Sequence, residues 1–286
     1  MKNMKKIFTI TALVFATSVA FAQDDAASKN VRFGLMLTPS VDWYKSGEKL
    51  IEKNGASPKF GGGLSVEFRL TNVASLVTGL QISMAGGKVK YNNNISATSS
   101  SNYVTYYYNK VDDVIAPYNT ADAEFNANPV AASGKYDYDL VNERKYQLTY
   151  ITLPLALKLK TKEIGALKYY GMFGVNSSFR AAAKATDEVQ KAGATGWGTP
   201  ETITKVDIKK DVALFNEALN VGLGVEWNLS GSTSLVIGAN YMLGFTNIAK
   251  EKSDYLRRQT YGTPDGTELK QDLKSNSICL TVGVLF

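Results

Sequence analysis

The chain has 286 residues, with 32 Lys and Arg, 26 Asp and Glu, one Cys and no His. Without histidine it lacks the commonest acid/base catalyst and metal ligand, and a single cysteine excludes an internal disulfide framework. After the N-terminal segment no run of 18 apolar residues follows, which excludes a helical membrane protein.

The chain opens MKNMKKIFTITALVFATSVAFAQDD. Three lysines precede an apolar stretch and an A-x-A site, which predicts a signal peptide over 1–22, cleaved after Ala22. Gln23 gives no indication of a lipoprotein. Without the three leader lysines, the 32 Lys and Arg become 29 against 26 acids. This balance, with no basic run, predicts no nucleic acid partner.

Period-2 alternation of apolar residues recurs eight times and predicts eight strands. In chain order they are 31–44, 60–70, 75–89, 150–160, 169–181, 218–229, 234–248 and 275–286. The first places Val31, Phe33 and Leu35 on one face, with Arg32 and Gly34 on the other.

The predicted connections alternate strictly in length. The long ones are 45–59, 91–143, 182–210 and 249–275, and the short ones are 71–74, 161–167 and 230–233. This alternation is typical of an outer-membrane barrel with tight periplasmic turns and long extracellular loops. We therefore predict a short periplasmic segment over 23–30 and, over 31–286, an all-β, eight-stranded antiparallel transmembrane barrel in contact with outer-membrane lipid.

Aromatic residues near the predicted strand ends are typical of the two girdles of such barrels. They are Trp43 and Tyr44 on the outer side, and Phe68, Tyr169, Tyr170 and Trp227 on the inner side. The last strand, SNSICLTVGVLF, ends on an aromatic residue with alternating apolar positions. Val284 and Phe286 are its predicted signal for the barrel-assembly machinery, and its apolar face is a predicted lipid face.

Two prolines fall inside predicted strands, although a closed barrel has no edge for a missing donor. We expect a local bulge at Pro39 and another at Pro154. The alternation also changes parity around Tyr150 and Ile151, which favours an irregularity there.

The stretches YITLPLALKLK, YYGMFGVNSSFR, NVGLGVEWNL, ANYMLGFTNI and LTVGVLF resemble the outer-membrane β-barrel domain family called PorT-like. The resemblance implies an integral outer-membrane protein of a gram-negative cell. One branch of the family is associated with protein secretion and gliding, while most members have no assigned activity. Members carry an acid before the Ile-Pro of the fourth strand, whereas this chain has Thr152, so a role tied to that acid is not implied.

No stretch predicts catalysis or a cofactor. FGGGLS and VGLGVE lack the spacing of a phosphate loop and precede no helix pattern, so we interpret their glycines as lumen positions. Acids at 111–113, Asp122, Glu124 and 136–139 have no EF-hand spacing, and solvated loop acids are favoured over calcium ligands. We expect no enzyme, no cofactor and no metal.

Five charged residues alternate inward near the periplasmic ends of their strands: Arg32, Glu67, Arg69, Lys158 and Glu226. An eight-stranded barrel is only wide enough for side chains to fill it. We predict a paired, structural charge network that plugs the lumen, and we favour it over a conduction pathway.

The longest loop, 91–143, holds eight of the 16 tyrosines, including YVTYYY. Tyrosine is typical of recognition surfaces. Tyr103, Tyr106, Tyr107, Tyr108, Tyr136 and Tyr138 are the candidate residues for binding an envelope protein partner; a hairpin extension without a partner fits equally well. Two functions stay open: a structural or binding barrel, in an envelope or secretion complex, and a small channel.

Overall fold

The computed structural model describes residues 30–96, 100–194, 196–260 and 266–286, and most of them lie in β-strands. The predicted signal peptide over 1–22 lies outside the described residues, as does nearly all of the predicted segment 23–30.

The chain order of the elements is as follows. The first strands are β1 (Val31–Leu37), β2 (Ser40–Ser46), β3 (Ile51–Lys53), β4 (Ser57–Lys59), β5 (Gly61–Arg69), β6 (Ala74–Ala85), β7 (Lys88–Tyr91), β8 (Asn102–Asn109) and β9 (Val114–Ala116). Two helices follow, α1 (Tyr118–Ala127) and α2 (Pro129–Lys135). The remaining strands are β10 (Tyr136–Lys160), β11 (Leu167–Gly193), β12 (Gly196–Trp197), β13 (Glu201–Asp207), β14 (Phe215–Ser230), β15 (Thr233–Gly244), β16 (Lys252–Thr260), β17 (Thr267–Lys270) and β18 (Leu273–Leu285).

Eight strands close into an antiparallel ring. Its order is β1–β5–β6–β10–β11–β14–β15–β18, and β18 pairs again with β1. β2 follows β1 along the same edge of β18, and its pairing with β18 runs from Ser40–Cys279 to Ser46–Leu273. A closed ring leaves no unpaired edge. The predicted eight-stranded antiparallel barrel is confirmed.

The wall of the ring is apolar outside and polar inside. On β10, Ile151, Leu155 and Leu159 are exposed, whereas Thr152 and Lys158 are buried. On β14, Leu223 is 69% exposed. Water does not favour such a surface, and hydrocarbon does. The outward side chains therefore form the lipid-facing belt that the alternation predicted.

Above this belt the strands continue into a second region, which we call the head (residues 45–59, 86–149, 182–213 and 246–274, where described). β10 and β11 run through both regions, with 25 and 27 residues. The segments predicted as four separate loops pair with one another: β3 with β7, β8 with β10 and β16, and β11 with β13. The long connections are therefore one structured body.

The inward-facing side chains change from apolar to polar at the base of the head. Along β10 every even-numbered residue from Tyr146 to Lys158 is buried. Their direction does not change, but the first three join an apolar core while the later ones line a polar lumen. The predicted parity change in β10 is therefore wrong. Water, instead of lipid, covers the outside of the head, so apolar residues move inside.

The irregularity near Tyr150 lies in the partner strand. The register shifts between the Thr149–Ala182 and Tyr150–Arg180 pairs, which leaves Ala181 of β11 as the extra residue. The bulges expected at the two prolines are absent: the register is the same on both sides of Pro39 and of Pro154. Each proline omits a ladder hydrogen bond and displaces no residue.

The two helices cover the sheet of the head beside β8 and β10. Asn128 caps α2 by accepting a hydrogen bond from Ala131 N at 3.3 Å, and Pro129 begins the helix where no backbone donor is needed. Ala121 and Ala132 are fully buried against Tyr136. Small residues at these positions let the helices approach the sheet closely.

Candidate functional sites in the lumen and the head

Charged side chains fill the lumen at the end opposite the head. Glu67 and Glu226 are 2% exposed. Arg32 Nη1 lies 3.0 Å from Glu226 Oε2 and 3.9 Å from Glu67 Oε1. Lys158 Nζ lies 3.1 Å from Glu67 Oε2 and also contacts Glu226. Lys160 forms an ion pair with Glu67 as well. We call these five residues the lumen plug.

The lumen plug differs from the predicted network at two positions. Arg69, at the end of β5, donates from Nη2 to Asn72 Oδ1 at 2.5 Å and from Nε to Thr71 O at 3.4 Å, both in the short turn. Lys160 was missed, because it lies at the end of its predicted strand. It has the same parity as Lys158, and that signal was sufficient to place it inward.

Tyr170 packs against the lumen plug and explains two glycines of the neighbouring strands. Its ring centroid lies 4.3 Å from Lys158 Nζ. Gly224 and Gly238 oppose each other on β14 and β15, and a Cβ at either would collide with the Tyr170 hydroxyl. Glycine therefore provides the space that this ring occupies, as the lumen interpretation predicted. Tyr170 is buried, so its predicted place in an aromatic girdle is wrong.

Two small cavities lie in the lumen among the described residues. Their volumes are about 60 and 70 Å³. Asn176 and Met242 line both. Such volumes hold a few water molecules each.

The head has an apolar core that contains a buried ion pair. The core includes Tyr44, Tyr106, Tyr146, Leu256 and Leu273, with others from every long connection. Tyr44, expected in a girdle, is fully buried here. The core therefore ties the four connections together.

The ion pair in this core joins Arg144 to Asp187, both 0% exposed. Arg144 donates from Nε to Asp187 Oδ1 at 2.8 Å and from Nη2 to Oδ2 at 2.7 Å. Burial alone would lower the pKa of Arg144, but the charge of Asp187 raises it well above its ordinary value. The guanidinium is thus held charged inside the head.

Asp139 is a second buried acid of the head, on β10 opposite Tyr106. It is 0% exposed, and neither carboxylate oxygen has a hydrogen-bond partner among the described residues. Burial, followed by the charge of Asp137, raises the pKa of Asp139 to about 7. Its negative form is therefore disfavoured in the folded head.

The candidate tyrosines separate into two environments. Tyr106 is fully buried in the head core, and Val104 lies beside it, so Tyr103 and Tyr107 face the opposite side of β8. On that side six rings are in contact: Tyr103, Tyr107, Phe125, Tyr136, Tyr138 and Trp197. We call them the aromatic cluster.

The aromatic cluster brings together distant parts of the chain. Trp197 stacks on Tyr138 at 6.0 Å and meets Tyr103 edge-on at 6.0 Å. Trp197, Tyr103 and Tyr138 are half-buried, whereas Tyr136 is 6% exposed under the helices. Trp197 was missed as a candidate, because no local pattern connects it to the tyrosines. Tyr108 lies apart and donates to Asp113.

The acids of the longest connection are engaged with neighbouring side chains. Glu124 accepts hydrogen bonds from Lys135 and Tyr136, Asp122 pairs with Arg257 at 2.8 Å, and Asp137 pairs with Lys110 at 2.9 Å. The described residues contain no group of three acids, His or Cys placed to hold a metal ion. Their visible role is to fix the helices and β16 to the head.

The end of the chain lies in the ring. Phe286 N donates to Phe33 O at 2.8 Å, and Phe33 N donates to Phe286 O at 3.1 Å. Val284 is 37% exposed and Phe286 47% exposed on the lipid-facing side. The assembly role predicted for both residues stays a prediction.

A closed ring of eight antiparallel strands, apolar outside and filled with polar side chains inside, defines an integral outer-membrane β-barrel protein. The chain belongs to the outer membrane protein beta-barrel domain family, whose model matches residues 21–250. This confirms the predicted outer-membrane location. In such barrels the long connections lie on the extracellular side, and the head consists of the long connections. None of the described helices is long and apolar enough to cross a membrane.

The chain is similar in structure to several solved outer-membrane proteins. Neisserial surface protein A is 11% identical, with a TM-score of 0.35, over 88% of this chain and 95% of that chain. Ail of Yersinia pestis is 12% identical, with a TM-score of 0.33, over 90% and 100%. OprG from Pseudomonas aeruginosa is 9% identical, with a TM-score of 0.40, over 92% and 99%. No curated protein matches the chain in sequence.

Proposed function

We propose that this protein is a binding component of the cell envelope, and that it holds a protein partner through the aromatic cluster of its extracellular head. The observation that carries the proposal is the half-buried ring group Tyr103, Tyr138 and Trp197. The barrel supplies the anchor in the lipid, and the head supplies a rigid surface. Within the family, we assign the chain to the PorT-like group on the five sequence stretches that resemble it.

The chemistry of the aromatic cluster fits recognition of another protein. Tyrosine and tryptophan offer large contact areas while losing little side-chain entropy on binding. They are also the residue types that most often dominate binding energy at interfaces. The rings of the cluster are already fixed by contacts with one another, and Arg257 lies 5.8 Å from the Tyr107 ring centroid. A preorganised surface of this kind loses little conformational entropy when a partner binds.

The packing of the interior favours binding over the alternative, a small channel. Glu67 and Glu226, each 2% exposed, are held by cations across the lumen. In the head and at its base, 23 buried apolar residues of the described part of the chain form one core. A solute would need to displace both. We propose a non-catalytic role because the sequence has no histidine.

The test compares partner capture by the intact protein and by the double variant Tyr103→Ser/Trp197→Ser. The two side chains are half-buried, so we expect assembly to persist. Replacement of all of 91–143 is less informative, because that segment contributes Tyr91, Val104 and Tyr106 to the head core. Proteins that co-purify from detergent-solubilised outer membranes are quantified by mass spectrometry at matched protein levels.

We expect the partner signal to fall roughly tenfold or more in the double variant, since central aromatic contacts contribute about 2 kcal/mol or more each. The control is Val130→Ser on α2, which removes an 84% exposed apolar side chain from the same head. If the double variant retains the full partner set, the aromatic cluster is not the binding surface. Steady single-channel conductance in planar bilayers would instead favour the channel.

A further inference from the structure

A pocket of about 630 Å³ opens on the outer surface of the protein, where the barrel wall meets the head. Its walls are residues 43–46 of β2, residues 47–49 and residues 51–53 of β3, and Asn276 of β18 lies at its side. The pocket is separate from both the lumen plug and the aromatic cluster.

The pocket lies at the upper edge of the lipid-facing belt. Trp43 of β2 and Leu243 of β15 both lie opposite Asn276 in the strand register. Leu243 is 42% exposed on the belt, and the ring of Tyr241, 41% exposed, lies 6.3 Å from that of Trp43. Lys45 follows Trp43 on the same face. Trp43 is thus level with Leu243 of the lipid-facing belt, and Lys45 lies one step further from the membrane centre, as does the exposed Phe245.

Three lysines line the pocket: Lys45, Lys49 and Lys53. All three are exposed, and none forms an ion pair within the described residues. Lys53 Nζ lies 5.4 Å from the Trp43 ring centroid, which shows that it turns back over the pocket. Lys274 lies opposite Lys45 in the register and adds a fourth cation beside it.

The lining also contains hydrogen-bond acceptors. Glu48 and Glu52 are part of it, so the pocket itself has three ammonium groups and two carboxylates. Asn276 is 8% exposed, and its Oδ1 has no hydrogen-bond partner among the described residues. A buried amide oxygen without a donor is costly, so this atom is suited to accept from a ligand.

The combination selects one class of ligand. Ammonium groups bind phosphate as point charges, carboxylates and an amide oxygen accept hydrogen bonds from hydroxyl groups, and an aromatic ring at a membrane interface packs against the apolar face of a sugar or a lipid. A headgroup that has phosphates and sugar hydroxyls together uses every one of these groups. A simple phospholipid headgroup uses mainly the lysines.

We propose that this pocket binds the headgroup of a phosphorylated glycolipid of the outer leaflet. Lys45, Lys49 and Lys53 bind its phosphate groups, Asn276 accepts from a sugar hydroxyl or amide, and Trp43 packs against the sugar. The acyl chains descend along Tyr241 and Leu243 of the belt. The pocket is continuous with the lipid belt, so the ligand reaches it without leaving the membrane.

The experiment uses the full-length protein in detergent micelles, with lipid binding measured by native mass spectrometry. The probe is bisphosphorylated lipid A, and the comparison lipids are its dephosphorylated form and phosphatidylglycerol. We expect Lys45→Gln/Lys53→Gln to weaken binding of bisphosphorylated lipid A roughly tenfold, as two partly screened ion pairs would. The matched control is Lys209→Gln/Lys210→Gln, which removes two exposed lysines of the head distant in sequence from the pocket.

A second variant tests the sugar contact. Asn276→Leu keeps the size of the side chain and removes its acceptor, so we expect it to weaken binding of lipid A while binding of phosphatidylglycerol stays unchanged. Each variant is first checked for the faster migration of the unheated protein on a denaturing gel. Three results would overturn the proposal. The first is equal lipid A affinity in Lys45→Gln/Lys53→Gln and the control, and the second is equal wild-type affinity for phosphatidylglycerol and lipid A. The third is displacement of all bound lipid A by a roughly 10-fold excess of inorganic phosphate. That result would show that the pocket is a site for free anions.

Discussion

The buried ion pair of the head allows a quantitative prediction. In Asp187→Asn the shape of the side chain is kept, but the charge that faces Arg144 is removed. Both residues are 0% exposed, and Arg144 Nη1 already lacks a hydrogen-bond partner among the described residues. The variant therefore leaves a full positive charge inside an apolar core with a neutral partner.

The expected loss of head stability is about 3–5 kcal/mol, the range for breaking a buried ion pair by removal of one partner. Because β11 continues into the lipid-facing wall, we expect the barrel to remain assembled while the head opens more often. Opening that is easier by 3 kcal/mol increases the open population by about 100-fold.

Hydrogen exchange followed by mass spectrometry measures this opening directly. We expect peptides from residues 183–193 to exchange about 100-fold faster in Asp187→Asn, while peptides from 219–227 in the wall keep their protection. The control is Glu188→Gln on the same strand, whose side chain is exposed. Arg144→Met/Asp187→Leu removes both charges, and we expect it to regain most of the protection. Equal exchange in Asp187→Asn and Glu188→Gln would refute the reasoning.

Two further predictions concern single carboxyl groups. Glu226→Gln should lower the urea midpoint of the barrel more than Glu251→Gln at an exposed site of the head, since its loss leaves Lys158 short of a partner; equal midpoints would mean that the lumen plug is fully hydrated. Folding raises the pKa of Asp139 from 3.8 to about 7, so the folded head binds a proton that the unfolded chain has lost, and stability falls as pH rises between these values. Hydrogen exchange of the head measured at several pH values reports this loss of stability. We expect Asp139→Asn to abolish the loss and Asp137→Asn to retain it.

Alternation in the sequence was sufficient to predict the barrel wall and most of the lumen plug. Side chains two residues apart share a face, so Glu67, Lys158 and Glu226 were placed inward together before any contact was known. The membrane-facing leucines of β10 fixed which side was the lipid side. Lys160 has the same parity as Lys158, but it was missed because it is the last residue of its predicted strand, 150–160.

The head was not predicted, for a physical reason. Tyr146, Leu148 and Tyr150 are apolar residues on the inward side, while Ile151 and Leu153 are apolar residues on the outward side. Alternating apolar residues occur both in the head, where they face inward, and in the wall, where they face the lipid. The sequence alone therefore does not show where the lipid-facing wall ends and the water-exposed head begins. Contacts such as Arg257–Asp122 and Trp197–Tyr138 join segments that have no common periodicity.

The unbroken passage of β10 from wall to head determines how far the protein reaches from the cell. Residues 136–149 of this strand lie above the lipid belt, and at about 3.3 Å per residue they extend roughly 45 Å, or about 30 Å in height at the usual strand tilt. The tip of the head therefore lies well beyond the lipid-facing belt. Any molecule that contacts the head would therefore meet a rigid projection with a fixed orientation, and we expect antibodies directed at residues 103–138 to bind intact bacteria.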